Sequence, residues 1–353
     1  MRDDYLWDGS GEPDPEIQKL EGVLGRLRHD RPAPAFPEIP MAKPSRRLWQ
    51  MPAFQFAAAA ACVLAIAAGV FMSHQPKPER VSLVAGWNVT RVTGVPRVGT
   101  QNLTAQHDKS ILINGQVLET DAKSQASIRA EQIGEIDVEP NTIVRLPRGN
   151  SGLTRLALDR GTIHASIWAP AGEFVVNTPS AVAVDLGCTY TLHVDDSGGG
   201  TLQTTFGWVG FKLGNREAFI PAGAACHTKK NTGPGIPYFE DASEDFRSAI
   251  ARLDNEGGTG QDRDAALQIV LAKSRKPDSL TLWHLLSRAP ESDRTRVYNR
   301  LAQLVPPPAG VTREGIMRLD QNMLDLWWNQ LGFGDVGLWR HWERTWTDHS
   351  ASQ

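Results

Sequence analysis

Cys188 and His193 fall on one expected strand and His164 on another, so the residue types of a thiol nucleophile and its base are present. Their spacing forbids the pairing. Residues five apart on a strand point to opposite faces, and Cys188 cannot reach His193. Asp195 and Asp196 precede Gly198-Gly199-Gly200 and read as a solvated hairpin turn, not as two carboxylates in one site. The chain holds no GxxxxGK[ST], GxSxG, HExxH or CxxC. The reading is a protein without catalytic residues, cofactor or metal. Cys188 and Cys226 are the cysteines of the C-terminal region, and an oxidising compartment would let them pair. The alternative is two buried free thiols.

Which compartment applies depends on the stretch Ala53–Met72. It carries no charge, and Gln55 is its one strongly polar residue. As a helix it would be about 30 Å long, the thickness of a bilayer's hydrocarbon core. A buried core helix is the competing reading. A cleaved signal peptide fits poorly, because signal n-regions are short and a long segment precedes this run. Lys43, Arg46 and Arg47 on one side outnumber Lys77 and Arg80 on the other, which places the N-terminus in the cytoplasm. The expected layout is a tail over 1–30, a Pro-rich linker over 31–52, one transmembrane helix over 53–72 in contact with lipid, and a long exported part. The net charge of -3 leaves no basic field for nucleic acid, and 41% hydrophobic residues suffice for a core outside the membrane.

The tail is not featureless. Asp14-Pro15-Glu16 is a helix start, followed by an apolar stripe of Ile17, Leu20, Leu24 and Leu27. Leu6 and Trp7 form a second apolar patch upstream. So short a segment cannot bury these surfaces itself. Docking into a partner's groove is the reading preferred, with a helix lying on the inner leaflet as the alternative.

Residues 81–238 read as short alternating strands separated by Gly, Pro, Asn and Asp turns, which predicts an all-β sandwich, barrel or stacked β-coil. The period changes after the Gly/Pro-rich 233–241. Helices are expected around Phe246–Leu253, Ala265–Leu271, Leu280–Leu286 and Val297–Leu304, then one long helix from Thr312 through Trp328. Together they make an all-α domain over 243–331, a small bundle or a stack of helix pairs. A last helix over 335–346 carries Trp339, Trp342 and Trp346 on one face. That face would dock on a partner or pack back on its own domain.

Several motifs occur in a fixed order: Thr120, Pro140-Asn141, Leu158 with Gly161, Val176-Asn177-Thr178-Pro179, Gly187-Cys188-Thr189-Tyr190 and Gly207-Trp208-Val209. Across roughly 115–212 this order resembles the FecR-type periplasmic domain. The departure is Gly-Cys-Thr-Tyr where that family commonly has Gly-Thr-x-Phe. The resemblance implies a single-pass regulator in a bacterial inner membrane, N-terminus in the cytoplasm and C-terminus in the periplasm. It also implies an extracytoplasmic-function sigma factor bound by the tail, through Leu6, Trp7, Ile17, Leu20, Leu24 and Leu27. The exported domain would then answer an outer-membrane or envelope protein. With no cysteine and only His29, the tail is not a zinc-binding anti-sigma domain. The competing function is an anchored scaffold or binding module, whose tail would need neither apolar patch.

Overall fold

The computed structural model describes residues 86–148, 154–255 and 259–350, with side chains as far as residue 344. The expected tail, linker and membrane span lie outside the described residues. Among the described residues no helix is long and apolar enough to cross a membrane.

The alternating segment folds into strands from Trp87 to Phe239. The first nine are β1 (Trp87–Thr93), β2 (Arg97–Val98), β3 (Gln101–Asn102), β4 (Lys109–Leu112), β5 (Val117–Glu119), β6 (Gln125–Ala130), β7 (Gly134–Val138), β8 (Ile143–Arg145) and β9 (Thr154–Ile167). There follow β10 (Phe174–Asn177), β11 (Val182–Asp185), β12 (Thr189–Val194), β13 (Gly200–Phe206), β14 (Trp208–Leu213), β15 (Arg216–Pro221), β16 (Ala224–Lys229), β17 (Gly233–Pro234) and β18 (Tyr238–Phe239). One sheet runs β4-β1-β6-β7-β9-β12-β13-β16, with β17 and β18 along β16. The other runs β3-β2-β5-β8-β9-β10-β11-β14-β15, and its β9–β10 pairing is parallel.

Strand β9 belongs to both sheets. Its first half pairs with β8 and β10, its second half with β7 and β12. The change of sheet falls at Gly161, where φ is +96° and a Cβ would stand 2.2 Å from Thr142 Oγ1. No larger residue fits there without moving Thr142. Thr142 Oγ1 accepts from Thr162 N at 2.9 Å, and Thr120 Oγ1 accepts from Thr142 N at 2.9 Å while donating to Glu139 O. The early threonine and the glycine of the sequence motif therefore belong to one buried corner that joins the sheets. Gly187 and Gly207 also have positive φ, which glycine adopts without strain.

The two sheets meet over a common core, in which the Trp87 ring of one lies 6.1 Å from the Phe174 ring of the other. Their outer faces differ. In the first sheet burial alternates along β6, β7 and β12, the signature of a strand with one wet face. In the second, β10, β11, β14 and β15 are buried in nearly continuous runs, so something covers their far face.

The covering layer is helical. It comprises α1 (Glu244–Leu253), α2 (Gly260–Lys273), α3 (Ser279–Arg288), α4 (Glu291–Leu304), α5 (Arg313–Met317), α6 (Gln321–Leu331) and α7 (Val336–Ser350). The described residues form one compact unit, and the β-rich and helical segments share a single core. The long helix expected from Thr312 is two helices. Leu319 takes φ +58°, and Asp320 caps α6 by accepting from Met323 N at 3.1 Å. A strong N-cap inside an otherwise helical apolar pattern ended one helix and began another.

Candidate functional site

Phe219 of β15 stands at the centre of the seam between sheet and helices. Its ring lies 4.9 Å from Trp328, 5.5 Å from Trp208 and from Trp339, and 5.7 Å from Trp283. His284 closes the group. It is 1% exposed, accepts from Phe219 N at Nε2 (2.9 Å) and donates from Nδ1 to Leu280 O (2.8 Å). Burial pulls its imidazole down to about 3, so it stays neutral and serves as a bonded core residue.

The tryptophan face of the last helix belongs to this seam. Trp339 is 0% exposed and Trp342 5% exposed, and their rings lie 5.0 Å apart. Both are therefore closed to an outside partner, which corrects the docking role expected for them. The side chain of Trp346 lies outside the described residues. The helix is oriented by Arg340, whose guanidinium grips both oxygens of Glu217 (2.7 and 2.8 Å) and both of Asp325 (2.9 Å each). Trp339 Nε1 adds a bond to Glu217 Oε2 at 2.8 Å. The stripe faces inward because β14 offers Gly210, whose missing side chain leaves room for the Trp339 ring.

Cys188 and Cys226 are both free and both buried, so the disulfide is not formed. Topology explains why. Cys226 pairs across from Leu202 of β13, whereas Cys188 precedes Thr189, which pairs across from Phe206. The two cysteines thus sit on opposite flanks of β13 and well apart along it, beyond the roughly 7 Å Cα limit for a disulfide. Cys188 Sγ donates to Asp185 Oδ2 at 2.6 Å, and Cys226 Sγ to Gly235 O at 3.3 Å. Burial pushes both thiols up, Cys226 to about 12 and Cys188, beside Asp185, further. A thiol reagent in excess is expected to label neither in the folded protein and both after unfolding, read by mass spectrometry of the labelled peptides. Labelling of either in the native state would contradict this.

Asp185 is the unusual member. It is 1% exposed; Oδ1 accepts from Gly187 N at 2.8 Å and Oδ2 from the Cys188 thiol. Burial pushes its carboxyl up to about 6, against the lowering effect of those bonds. Tyr190, also buried, has no hydrogen-bond partner for its hydroxyl among the described residues. The Cys and Tyr that depart from the family pattern thus both lie at the entry to β12, beside a buried carboxyl.

The histidines of the wet sheet face are dispersed. His193 Nδ1 and Thr162 Oγ1 are 2.8 Å apart, His227 Nδ1 and Thr201 Oγ1 2.9 Å, and His164 Nδ1 and Thr191 Oγ1 2.9 Å. Each imidazole has a cross-strand hydroxyl partner, and Cys188 points into the core while His193 points out. Among the described residues no three His, Cys, Asp or Glu side chains gather as a metal site would need. Asp195 is a turn residue, its Oδ1 accepting from the Ser197 hydroxyl and from the Ser197 and Gly199 amides, which together lower its pKa.

A cleft of ligand size with converging charge, between the sheet and the helices, was not foreseen. It has a volume of about 450 Å³ and is lined by Arg216, Ile236, Asp254, Arg263, Ser287 and Arg288 among others. These residues come from β15, the loop before β18, and helices α1, α2 and α3. No sequence motif links them; only the packing of helices on the sheet brings them together.

Residues 116–209 match the family described as FecR protein, so the chain carries a FecR-type domain there. The match ends within the β-rich segment and leaves the helical layer unassigned. No curated protein matches this sequence. Two crystal structures of a candidate anti-sigma factor from Parabacteroides distasonis ATCC 8503 are similar, at 12% and 13% identity and TM-scores of 0.31 and 0.32. In both cases 38% of this chain covers 64% of that one. An overlap this loose establishes neither fold nor function for this chain.

Proposed function

We propose that the protein is a membrane-anchored envelope signalling regulator. Its tail, through Leu6, Trp7, Ile17, Leu20, Leu24 and Leu27, holds an extracytoplasmic-function sigma factor. Residues 53–72 cross the inner membrane, and the FecR-type part receives the signal in the periplasm from an outer-membrane or envelope protein. The observation that carries this reading is the FecR-type match over 116–209. The apolar tail patches and the uncharged run of membrane length support it. The wet face of the first sheet, with Trp168 51% exposed and Phe206 68% exposed, offers aromatic surface to an envelope partner.

Charge substitutions in the tail test the reading in cells. Leu20→Asp and Leu24→Asp are expected to abolish regulation of a sigma-dependent reporter while leaving the protein in the membrane fraction. Unchanged reporter output would favour the anchored binding module instead.

A further inference from the structure

The charged cleft holds a pair of groups that the fold leaves open. Asp254 and Arg288 have side chains only 13% and 11% exposed. Asp254 Oδ2 accepts from Ile236 N at 2.8 Å, and Arg288 Nη2 donates to Glu217 O at 2.8 Å. The atoms that face each other do not bond. Asp254 Oδ1 lies 3.9 Å from Arg288 Nη1 and 3.6 Å from Arg216 Nη2, and neither Oδ1 nor Arg288 Nη1 has a hydrogen bond among the described residues. Ion pairs of this kind close to about 2.7–2.9 Å when nothing intervenes. A buried donor and acceptor left open side by side are the exception in folded proteins.

The spacing selects a group. An oxygen about 2.8 Å from both atoms fits between points 3.9 Å apart. It must accept from the guanidinium and donate to the carboxylate, which a ligand hydroxyl does in the place a bridging water would take. An anionic oxygen would meet Asp254 as a like charge.

The charge of the walls selects the rest. Glu217 is taken up by Arg340 and Trp339, so it does not neutralise the cleft. Arg263 donates to the carbonyls of Leu253 (3.3 Å) and Arg288 (3.4 Å), at the ends of α1 and α3. Carbonyl bonds hold a guanidinium in place without cancelling its charge. Even with Arg216 assigned wholly to Asp254, Arg263 and Arg288 remain as positive walls. Burial lowers the Arg288 guanidinium to about 10, the behaviour of a cation taken out of water. Ile236 and Leu253 give the cleft an apolar side, and Asn215, Ser287 and Gln321 add neutral polar groups. The volume suits a molecule of one sugar ring with its substituents.

From this geometry we infer that the cleft binds a small hydroxylated anion, a sugar acid or a sugar phosphate. A hydroxyl bridges Asp254 and Arg288, and the acid group faces Arg263. The site stands apart from the regulatory reading, because binding is measurable whether or not the tail holds a sigma factor. As part of that reading, it would give the periplasmic half a chemical signal at the seam between its two layers.

The test is calorimetric titration of the detergent-solubilised full chain with glucuronate, glucose 1-phosphate, glucose and inorganic phosphate. Saturable one-site binding of glucuronate or of glucose 1-phosphate is expected, at least tenfold tighter than glucose or inorganic phosphate. Which of the two binds tells a carboxylate from a phosphate source. Arg263→Gln is expected to weaken that binding at least tenfold, and Asp254→Asn to narrow the advantage over inorganic phosphate. Melting of each unligated variant shows that it is folded; a variant that unfolds is replaced by Arg263→Lys or Asp254→Ser. No heat from either sugar anion at millimolar concentration would overturn the inference. So would equal binding of inorganic phosphate, or binding unchanged in folded Arg263→Gln.

Discussion

Trp339→Ala is expected to destabilise the chain by about 3–5 kcal/mol, the range for deleting a large aromatic from a packed core. The residue is fully buried against Phe219 and Trp342, and its indole nitrogen holds Glu217. Truncation therefore opens a cavity at the seam and removes one of the bonds that orient the Arg340 network. Its partner across the seam, Gly210, supplies a sharper version of the same test. A Cβ on Gly210 would stand 2.0 Å from Trp339 Cζ3, so Gly210→Ala must push the indole out of place. Overpacking of this kind costs about 1–3 kcal/mol. In the Trp339→Ala background the obstacle is gone, and the same substitution is expected to be nearly neutral. The two changes should thus be less than additive by about the full cost of Gly210→Ala, measured as a double-mutant cycle in denaturant. Additive losses would mean that α7 does not seat its tryptophans on β14.

The second large effect concerns pH. The Asp185 carboxyl is raised from 3.8 to about 6 by burial in the folded chain. Below the unfolded value both states are protonated and the site is at its most favourable. As pH rises from about 4 to about 6 the unfolded chain releases its proton first, so stability falls, and above about 6 the loss is complete. The window amounts to roughly 3 kcal/mol at 1.36 kcal/mol for each pH unit. Asp185→Asn carries no ionisation, and its amide oxygen can still accept one of the two local bonds. Its stability relative to the parent is therefore expected to improve by roughly 3 kcal/mol between pH 3 and pH 7. A difference that does not change over that range would mean that Asp185 ionises in the fold as it does in the open chain.

Much of the architecture could be read from local pattern. Alternation marks the wet strands well: β6, β7 and β12 show in burial what Gln125–Ala130, Gly134–Val138 and Thr189–Val194 show in sequence. Most helices also declared themselves, since Leu280, Leu282, Leu285 and Leu286 recur at helical spacing and all are buried in α3. Local pattern fails where the decision is made at a distance. The inward turn of Trp339 and Trp342 depends on room at Gly210 and on Glu217, both more than a hundred residues earlier. The sharing of β9 depends on Gly161 meeting Thr142. The break at Leu319 was local but masked, because Asp320 sits within an apolar periodicity that continues on both sides of it.

The charged cleft was illegible for the same reason. Arg216, Asp254, Arg263 and Arg288 are separated by 38, 9 and 25 positions and carry no common motif. Each alone reads as a solvated charge or a helix-end residue. Only Asp254 and Arg288 hint at more, since both stand at the C-terminal ends of helices that the fold buries. Conversely, the FecR-like motifs were legible because several are fold-making: Thr120 and Gly161 meet Thr142 at the corner where the two sheets join.

The regulatory reading rests on a partner for the tail, and co-purification tests it most directly. The full-length chain would be recovered from solubilised membranes of its native host, alongside Leu20→Asp and Leu24→Asp forms, and the bound proteins identified by mass. The expected result is an extracytoplasmic-function sigma factor with the parent chain that is missing from both variants at equal recovery. The same set of proteins from all three, or no sigma factor from any, would contradict it.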